Sequence, residues 1–254
     1  MGLFGKLFAK QCSVCGKEIG LLGNRKLEDG NLCKECASKL SPWFSDRRNS
    51  TVAEIKEQLT YREENKKAVE SFNVTLSLGT DMKVLIDEDA EKFMVTRARN
   101  MKEANPDVMD FSQVTGCRMD IEENQTEEMT EDKDGNEISY RPPRYFYSYD
   151  FRVVINVNHP YFNEISFGLN SSDVEINPGR GAVTKPNPQT NAAYREYEKM
   201  GEEIVEILTQ ARKRIREEAK IAATPKTAVT CPCCSAITIP DMNGCCEYCG
   251  GAVN

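Results

Sequence analysis

The sequence Cys12-Ser13-Val14-Cys15, followed after seventeen residues by Cys33-Lys34-Glu35-Cys36, decides how the N-terminus folds. A gap of two residues lets each cysteine pair turn around one metal ion, and four thiolate sulfurs complete the tetrahedron that Zn²⁺ prefers. Gly16 relieves crowding directly after the first pair. Because no ligand position is left for water, the pattern predicts a structural zinc site rather than a catalytic or redox centre. Its predicted ligands are Cys12, Cys15, Cys33 and Cys36.

A second cysteine cluster lies near the C-terminus, where Cys231-Pro232-Cys233-Cys234 is followed after eleven residues by Cys246-Glu247-Tyr248-Cys249. The strand-forming residues 236–239 and a turn at 241–244 lie between the pairs, as is typical of a zinc ribbon. Cys233 and Cys245 lack a partner at the two-residue spacing, and whether either replaces a neighbouring ligand stays open. The spacing predicts a second structural zinc ion with the ligands Cys231, Cys234, Cys246 and Cys249.

The number and pairing of the cysteines also indicate the cellular compartment of the protein. The chain has 254 residues, with 11 cysteines and one histidine. Residues 1–11 contain few apolar residues, interrupted by Lys6 and Lys10, and no cleavage site of small residues, so a secretion signal is not expected. Paired cysteines in a reducing compartment favour metal binding over disulfides, and we therefore expect a cytoplasmic protein.

The overall composition excludes several classes of protein. Charged residues make up 29% of the chain and hydrophobic residues 39%, and the longest apolar stretches have only the length of a strand. Neither a membrane-spanning helix nor a coiled coil is therefore expected. The formal net charge of -7 argues against binding nucleic acid through the surface as a whole.

The chain divides into four segments. Residues 1–48 form the first zinc module, and residues 49–71 form a helical connector that opens with the capping box Thr51-Val52-Ala53-Glu54. The charged second half of this helix is interpreted as a solvated face. Residues 72–223 form a central domain, and residues 224–254 form the zinc ribbon.

The hydrophobic pattern of the central domain predicts strands followed by one helix. From Phe72 onward apolar residues recur with a period of two, and the longest such stretch runs from Tyr145 to Val157. Asp134-Gly135 predicts the turn of a long hairpin. An amphipathic helix is predicted from about Gln189 to Ala223. We therefore predict an α+β fold with a central antiparallel β-barrel or sandwich and a long C-terminal helix.

The N-terminal sequence resembles an uncharacterised bacterial zinc-binding family of unknown function. The resemblance covers about residues 1–78 and is carried by residues 12–20, residues 29–36 and the stretch Lys39-Leu40-Ser41-Pro42-Trp43-Phe44. It implies that the first four cysteines bind zinc. The succession of strands and one helix also resembles, in topology only, the bacterial pleckstrin-homology-like barrels. Neither resemblance implies a known reaction.

These features favour a non-enzymatic zinc-binding adaptor that binds one or more protein partners. One alternative is an enzyme with carboxylates that converge only in the folded chain, although His159 lies where a loop is expected and no catalytic motif is present. A nucleic-acid-binding zinc-ribbon protein is a second alternative. The third is a stress adaptor at the membrane surface, attached through residues 1–10, although packing of this short stretch on the zinc module or on a partner is favoured.

Overall fold

The computed structural model describes residues 10–178, 183–223, 228–241 and 244–253. The chain divides into two compact units, residues 1–212 and residues 213–254. Both helices and antiparallel strands are present, as the sequence predicts for an α+β protein.

The first module, which contains the first four cysteines, consists of two small hairpins and one helical turn. Strands β1 (Lys10–Gln11) and β2 (Glu18–Ile19) form the first hairpin, strands β3 (Arg25–Lys26) and β4 (Asn31–Leu32) form the second, and helix α1 (Lys34–Ala37) follows. Three cysteines share the core of the module with apolar residues. The buried members of this core are Cys12, Ile19, Leu27, Leu32, Cys33, Cys36, Leu40 and Ile55.

Helix α2 (Val52–Ser71) begins at the predicted capping box. The Thr51 hydroxyl accepts a hydrogen bond from the Glu54 N–H at 3.3 Å, and the Glu54 carboxylate accepts one from the Thr51 N–H at 2.7 Å. The first turns place Ile55 in the core of the first module. The capping box thus fixes where the helix starts.

The interpretation of the second half of α2 as solvated is wrong. Arg62, Asn65 and Val69 are buried there. The Arg62 guanidinium donates to the Asp107 carboxylate at 2.6 Å and to the Asn105 carbonyl. The Asn65 amide donates to the Pro106 carbonyl at 2.7 Å. Because polar partners satisfy this face, it is buried without the apolar stripe that usually marks a buried helix face.

The central strands form two separate antiparallel sheets rather than a closed barrel. The first sheet has the order β5 (Leu76–Gly79), β6 (Lys83–Asp87), β7 (Lys92–Thr96) and β8 (Met109–Asp110), with helix α3 (Met101–Ala104) between the last two. The second contains β9 (Val114–Glu131), β10 (Glu137–Val157), β11 (Glu164–Gly168) and β12 (Val174–Ile176). Of the two predicted alternatives, a barrel or a sandwich, the closed barrel is therefore wrong: alternation predicts strands, but it does not determine whether the edges of two sheets pair with each other.

Strand β10 pairs with β9 along nearly its whole length but with β12 only at residues 147–149 and with β11 only at residues 152–156. Residues 126–146 therefore extend beyond the sheet as a two-stranded hairpin, which we call the ribbon. Asp132 and Gly135 form its turn, as the sequence predicts. Residues 140–143, including Pro142 and Pro143, have no partner in β9 and interrupt the pairing. No residue of the ribbon is buried.

Helix α4 (Ala192–Ala223) is the predicted long helix. At its start the Tyr194 ring contacts Tyr149 and Phe151 of β10, with centroid distances of 5.0 and 5.1 Å. Gly201 lets the helix approach the second sheet closely, since a methyl group there would lie 2.0 Å from the Met119 sulfur. The core of the second sheet therefore lies under the first half of α4.

The C-terminal unit contains the last residues of α4 and one small hairpin, β13 (Val229–Thr230) and β14 (Ile237–Thr238). Its buried core among the described residues is small and consists of Cys231, Cys246 and Val253. So few buried side chains are insufficient to offset the chain entropy that folding removes.

Candidate metal centres

The thiols of Cys12, Cys15, Cys33 and Cys36 converge in the first module, where their sulfur atoms all lie within 4.8 Å of one another. The Gly16 N–H donates to the Cys12 carbonyl at 2.8 Å, and Gly16 takes a φ of 72° in the turn after the first pair. Cys33 is the N-cap of α1, and its sulfur accepts a hydrogen bond from the Cys36 N–H at 3.4 Å. Each pair is thus held by its own tight turn.

Backbone N–H groups stabilise negative charge in this cluster. Burial alone would raise the pKa of Cys12, but hydrogen bonds from backbone N–H groups, including those of Cys15 and Cys33, outweigh burial and lower the pKa to about 6. Burial raises the pKa of Cys36, and its contacts with the other sulfurs raise it further. The cluster therefore stabilises a thiolate at Cys12 but not at Cys36, unless a cation lies among the sulfurs.

The thiols of Cys231, Cys234, Cys246 and Cys249 converge in the same way, again with all sulfurs within 4.8 Å. The Cys231 and Cys249 sulfurs are 3.6 Å apart, and the Cys234 and Cys246 sulfurs are 3.7 Å apart. After each pair one residue takes a positive φ, 58° at Ser235 and 70° at Gly250. The Ser235 and Gly250 N–H groups donate back to the first cysteine of their pair, both at 2.8 Å. The two turns therefore repeat the geometry of the turn at Gly16.

The two extra cysteines lie outside this converging set. Cys233 is exposed, and Cys245 forms an isolated bridge with Ala252 while its N–H donates to the Asp241 carboxylate at 2.7 Å. The sulfurs that meet are thus the four with the two-residue spacing. The sequence alone left this choice open.

The two centres differ in how far water reaches them. In the first module Cys12, Cys33 and Cys36 are buried and only Cys15 is exposed. In the C-terminal unit both second cysteines of the pairs, Cys234 and Cys249, are exposed. Two of the four cysteines of the second centre are therefore exposed to solvent, against one of four in the first.

His159 lies in the loop between β10 and β11, as expected, and not at a metal centre. Its ring stacks on Phe162 with a centroid distance of 4.0 Å, and the Tyr61 ring contacts its edge at 5.1 Å. Its Nδ1 accepts the Tyr161 N–H at 3.3 Å. Burial lowers the pKa of His159, and the nearby Asp107 carboxylate partly opposes this effect.

Asp107 is the charged residue that the sequence does not reveal. It is fully buried, and besides Arg62 it accepts hydrogen bonds from the Ser41 hydroxyl at 2.8 Å and from the Tyr61 hydroxyl at 3.3 Å. Its two oxygens therefore accept hydrogen bonds from groups of the first module and of α2. Because its charge is paired with Arg62 and its oxygens accept three hydrogen bonds, Asp107 has a structural role. No sequence pattern predicts this buried ion pair.

The site proposed for membrane contact lies almost entirely outside the described residues, which begin at Lys10. Among the described residues, no helix combines the length and the apolar character that crossing a bilayer requires.

Together these features define an α+β protein with two separate four-thiol centres, each able to hold a metal ion. Residues 10–58 match the model of a family described as a domain of unknown function (DUF4428), and this match covers the first module and the start of α2. The resemblance predicted from the first four cysteines is thus confirmed over these residues. No curated protein and no solved structure matches the chain.

Proposed function

We propose that both centres bind Zn²⁺ and that both ions are structural. Sulfurs bound tetrahedrally to zinc at about 2.3 Å lie about 3.8 Å apart. The measured sulfur pairs, 3.7 Å between Cys15 and Cys33 and 3.6 and 3.7 Å in the C-terminal unit, agree with this spacing. Four thiolates favour zinc over the hard cations Mg²⁺ and Ca²⁺ and leave no position for a reacting water.

Elemental analysis of protein purified without added metal tests the identity of the ion. Because each centre has a complete ligand set, we expect two zinc ions per chain. A matched pair of variants assigns the two ions to their centres. Cys246→Ser is expected to reduce the zinc content to one ion per chain. Cys117 lies in β9, outside both centres, so Cys117→Ser is expected to keep two ions. A content of one or none in the parent protein, or iron in place of zinc, contradicts the proposal.

We further propose that the protein is a non-enzymatic adaptor and that the ribbon is its binding surface for a protein partner. Three large apolar side chains of the ribbon face solvent: Met129, Ile138 and Phe146 are 43%, 43% and 41% exposed. Among the described residues β9 pairs with β10 alone, so its outer backbone edge is free. An exposed arm with apolar side chains and a free strand edge is the kind of surface to which extended segments of other proteins bind.

The register places the apolar residues on different faces of the ribbon. Ile138 lies opposite Thr130 and Phe146 lies opposite Thr126, which puts both on one face. Met129 lies opposite Ser139 and belongs to the other face. The face with Ile138 and Phe146 is thus the more apolar one and is the surface that the proposal assigns to the partner.

The charge of the ribbon supports a basic protein segment as its partner. The ribbon contains six acidic residues and three basic ones, Lys133, Arg141 and Arg144. Such a ribbon repels the phosphates of nucleic acid and attracts lysine and arginine side chains. Both arginines lie on the β10 side, where Arg144 is opposite Glu128, so the acidic excess lies mainly along β9.

Affinity purification of the full-length protein tests the adaptor role. The double variant Ile138→Ser/Phe146→Ser is expected to lose partners that the parent protein retains, while Met129→Ser on the opposite face keeps them. All three side chains are exposed, so the variants are expected to retain their zinc content and unfolding temperature. If the double variant retains every partner of the parent protein, the ribbon is not the binding surface.

A further inference from the structure

Cys233 is a fifth thiol beside the C-terminal centre. It is exposed, and its N–H donates to the Cys231 sulfur at 3.4 Å. A methyl group on Gly251 would lie 2.8 Å from the Cys233 sulfur and 3.4 Å from the Cys249 sulfur. The two sulfurs thus face the same small space, which stays open because residue 251 has no side chain.

The chemistry of these two sulfurs differs once zinc is bound. Cys249 is exposed and is one of the four converging thiols, so as a zinc ligand it is a thiolate that a peroxide in solution can reach. Cys233 is outside the ligand set and keeps a free thiol. This combination of an accessible thiolate and a neighbouring free thiol is what forms a disulfide after oxidation.

We propose that Cys233 is the resolving thiol of a peroxide-sensitive modification site at the C-terminal centre, a proposal that depends on zinc binding there. The Cys249 thiolate attacks a hydroperoxide: an S–O bond forms to give a sulfenic acid, the O–O bond breaks, and the departing oxygen takes a proton from solvent and leaves as water or an alcohol. The Cys233 sulfur then attacks the sulfenic sulfur, the S–O bond breaks and water leaves with the Cys233 proton. The product is a disulfide between Cys233 and Cys249.

This disulfide removes one of the four zinc ligands. Three thiolates hold the ion less tightly than four, so the oxidised C-terminal unit releases its zinc. The first module differs in both respects that matter: three of its four cysteines are buried, and the sequence has no fifth cysteine between Cys36 and Cys117. One chain therefore contains an oxidation-sensitive centre and a resistant one.

The test exposes zinc-loaded, full-length protein to hydrogen peroxide and follows free zinc with a colorimetric chelator while peptide mass spectrometry maps disulfides. The parent protein is expected to release one of its two ions and to contain a disulfide between Cys233 and Cys249. Cys233→Ser is expected to keep both ions at rest, release zinc several-fold more slowly, and accumulate a sulfenic acid at Cys249 that dimedone traps. Cys245→Ser, which also removes an extra thiol, is expected to behave like the parent protein.

Equal rates of zinc release from the parent protein and Cys233→Ser would overturn the inference. A disulfide only between two of the four converging cysteines, such as Cys231 and Cys249, would overturn it as well. Either outcome leaves the proposed zinc binding intact. Protein that contains no zinc in the C-terminal unit before peroxide is added contradicts the proposed function instead, so the two failures are distinguishable.

Discussion

The Arg62–Asp107 pair shows at the scale of single residues how the first module is connected to the rest of the chain. The two groups lie 2.6 Å apart, and their side chains are 5% and 0% exposed. The Asp107 carboxylate also accepts a hydrogen bond from the hydroxyl of Ser41 in the first module. One buried carboxylate thus holds together residues from three distant parts of the sequence.

Neutralising this carboxylate is expected to destabilise the fold strongly. Asp107→Asn leaves the Arg62 charge buried without its counterion, a change that typically costs about 3–5 kcal/mol. Glu63→Gln is the control, because it breaks a solvent-exposed ion pair with Lys66, and such pairs contribute about 0–1 kcal/mol. Urea unfolding followed through the fluorescence of Trp43, the single tryptophan, measures both changes. Equal losses in the two variants would show that Asp107→Asn does not leave the Arg62 charge uncompensated.

His159 is expected to make stability depend on pH. Burial lowers its pKa below the usual 6.5, so the unfolded chain binds this proton more tightly than the folded one. Its contribution to stability is therefore complete above the unfolded pKa and is lost as the pH falls from 6.5 toward the folded pKa. His159→Gln is expected to reduce the loss of stability in this window, measured by urea unfolding above and below it. An unchanged pH dependence in the variant contradicts this assignment.

At the scale of elements, the capping box of α2 gives a prediction with an internal control. Thr51→Ala removes the acceptor of the Glu54 N–H and is expected to lower the free energy of unfolding by about 1 kcal/mol. Thr60→Ala makes the same chemical change on an exposed position inside the same helix, where alanine is the better helix former. The Thr60 variant is therefore expected to be neutral or slightly stabilised. A similar decrease in the free energy of unfolding at both positions would show that the N-cap hydrogen bond is not the cause of the loss at Thr51.

The elements also show how far the sequence predicts this structure. The cysteine spacing, the capping box and the alternation of apolar residues identify both thiol centres, the start of α2 and the strands of the second sheet, because each depends on neighbours in sequence. The buried face of α2 was missed because Arg62 and Asn65 are satisfied by residues some forty positions away. The absence of a closed barrel was missed for the same reason, since edge pairing depends on contacts between distant strands.

At the scale of the whole molecule, the two centres are expected to stabilise different parts of the chain. Cys33 shares its core with Ile55 of α2, so Cys33→Ser is expected to lower the unfolding temperature of residues 1–212. The core around Cys246 contains only residues of the C-terminal unit, so Cys246→Ser is expected to leave that transition unchanged. Calorimetry of the two variants measures the unfolding transition of residues 1–212 in each. Loss of the main transition in Cys246→Ser would show that the units do not unfold separately.

The free edge of β9 has a consequence for how copies of the chain behave at high concentration. Unpaired backbone groups along a strand template intermolecular β-sheet, which leads to aggregation. Ionised glutamates of the ribbon repel the same strand of another copy, and the missing N–H groups of Pro142 and Pro143 interrupt the opposite edge. High salt screens this repulsion between copies. Light scattering is expected to increase with salt concentration, and less so when Ile138→Ser/Phe146→Ser removes the apolar face; colloidal stability is thus a second property that the acidic strand provides.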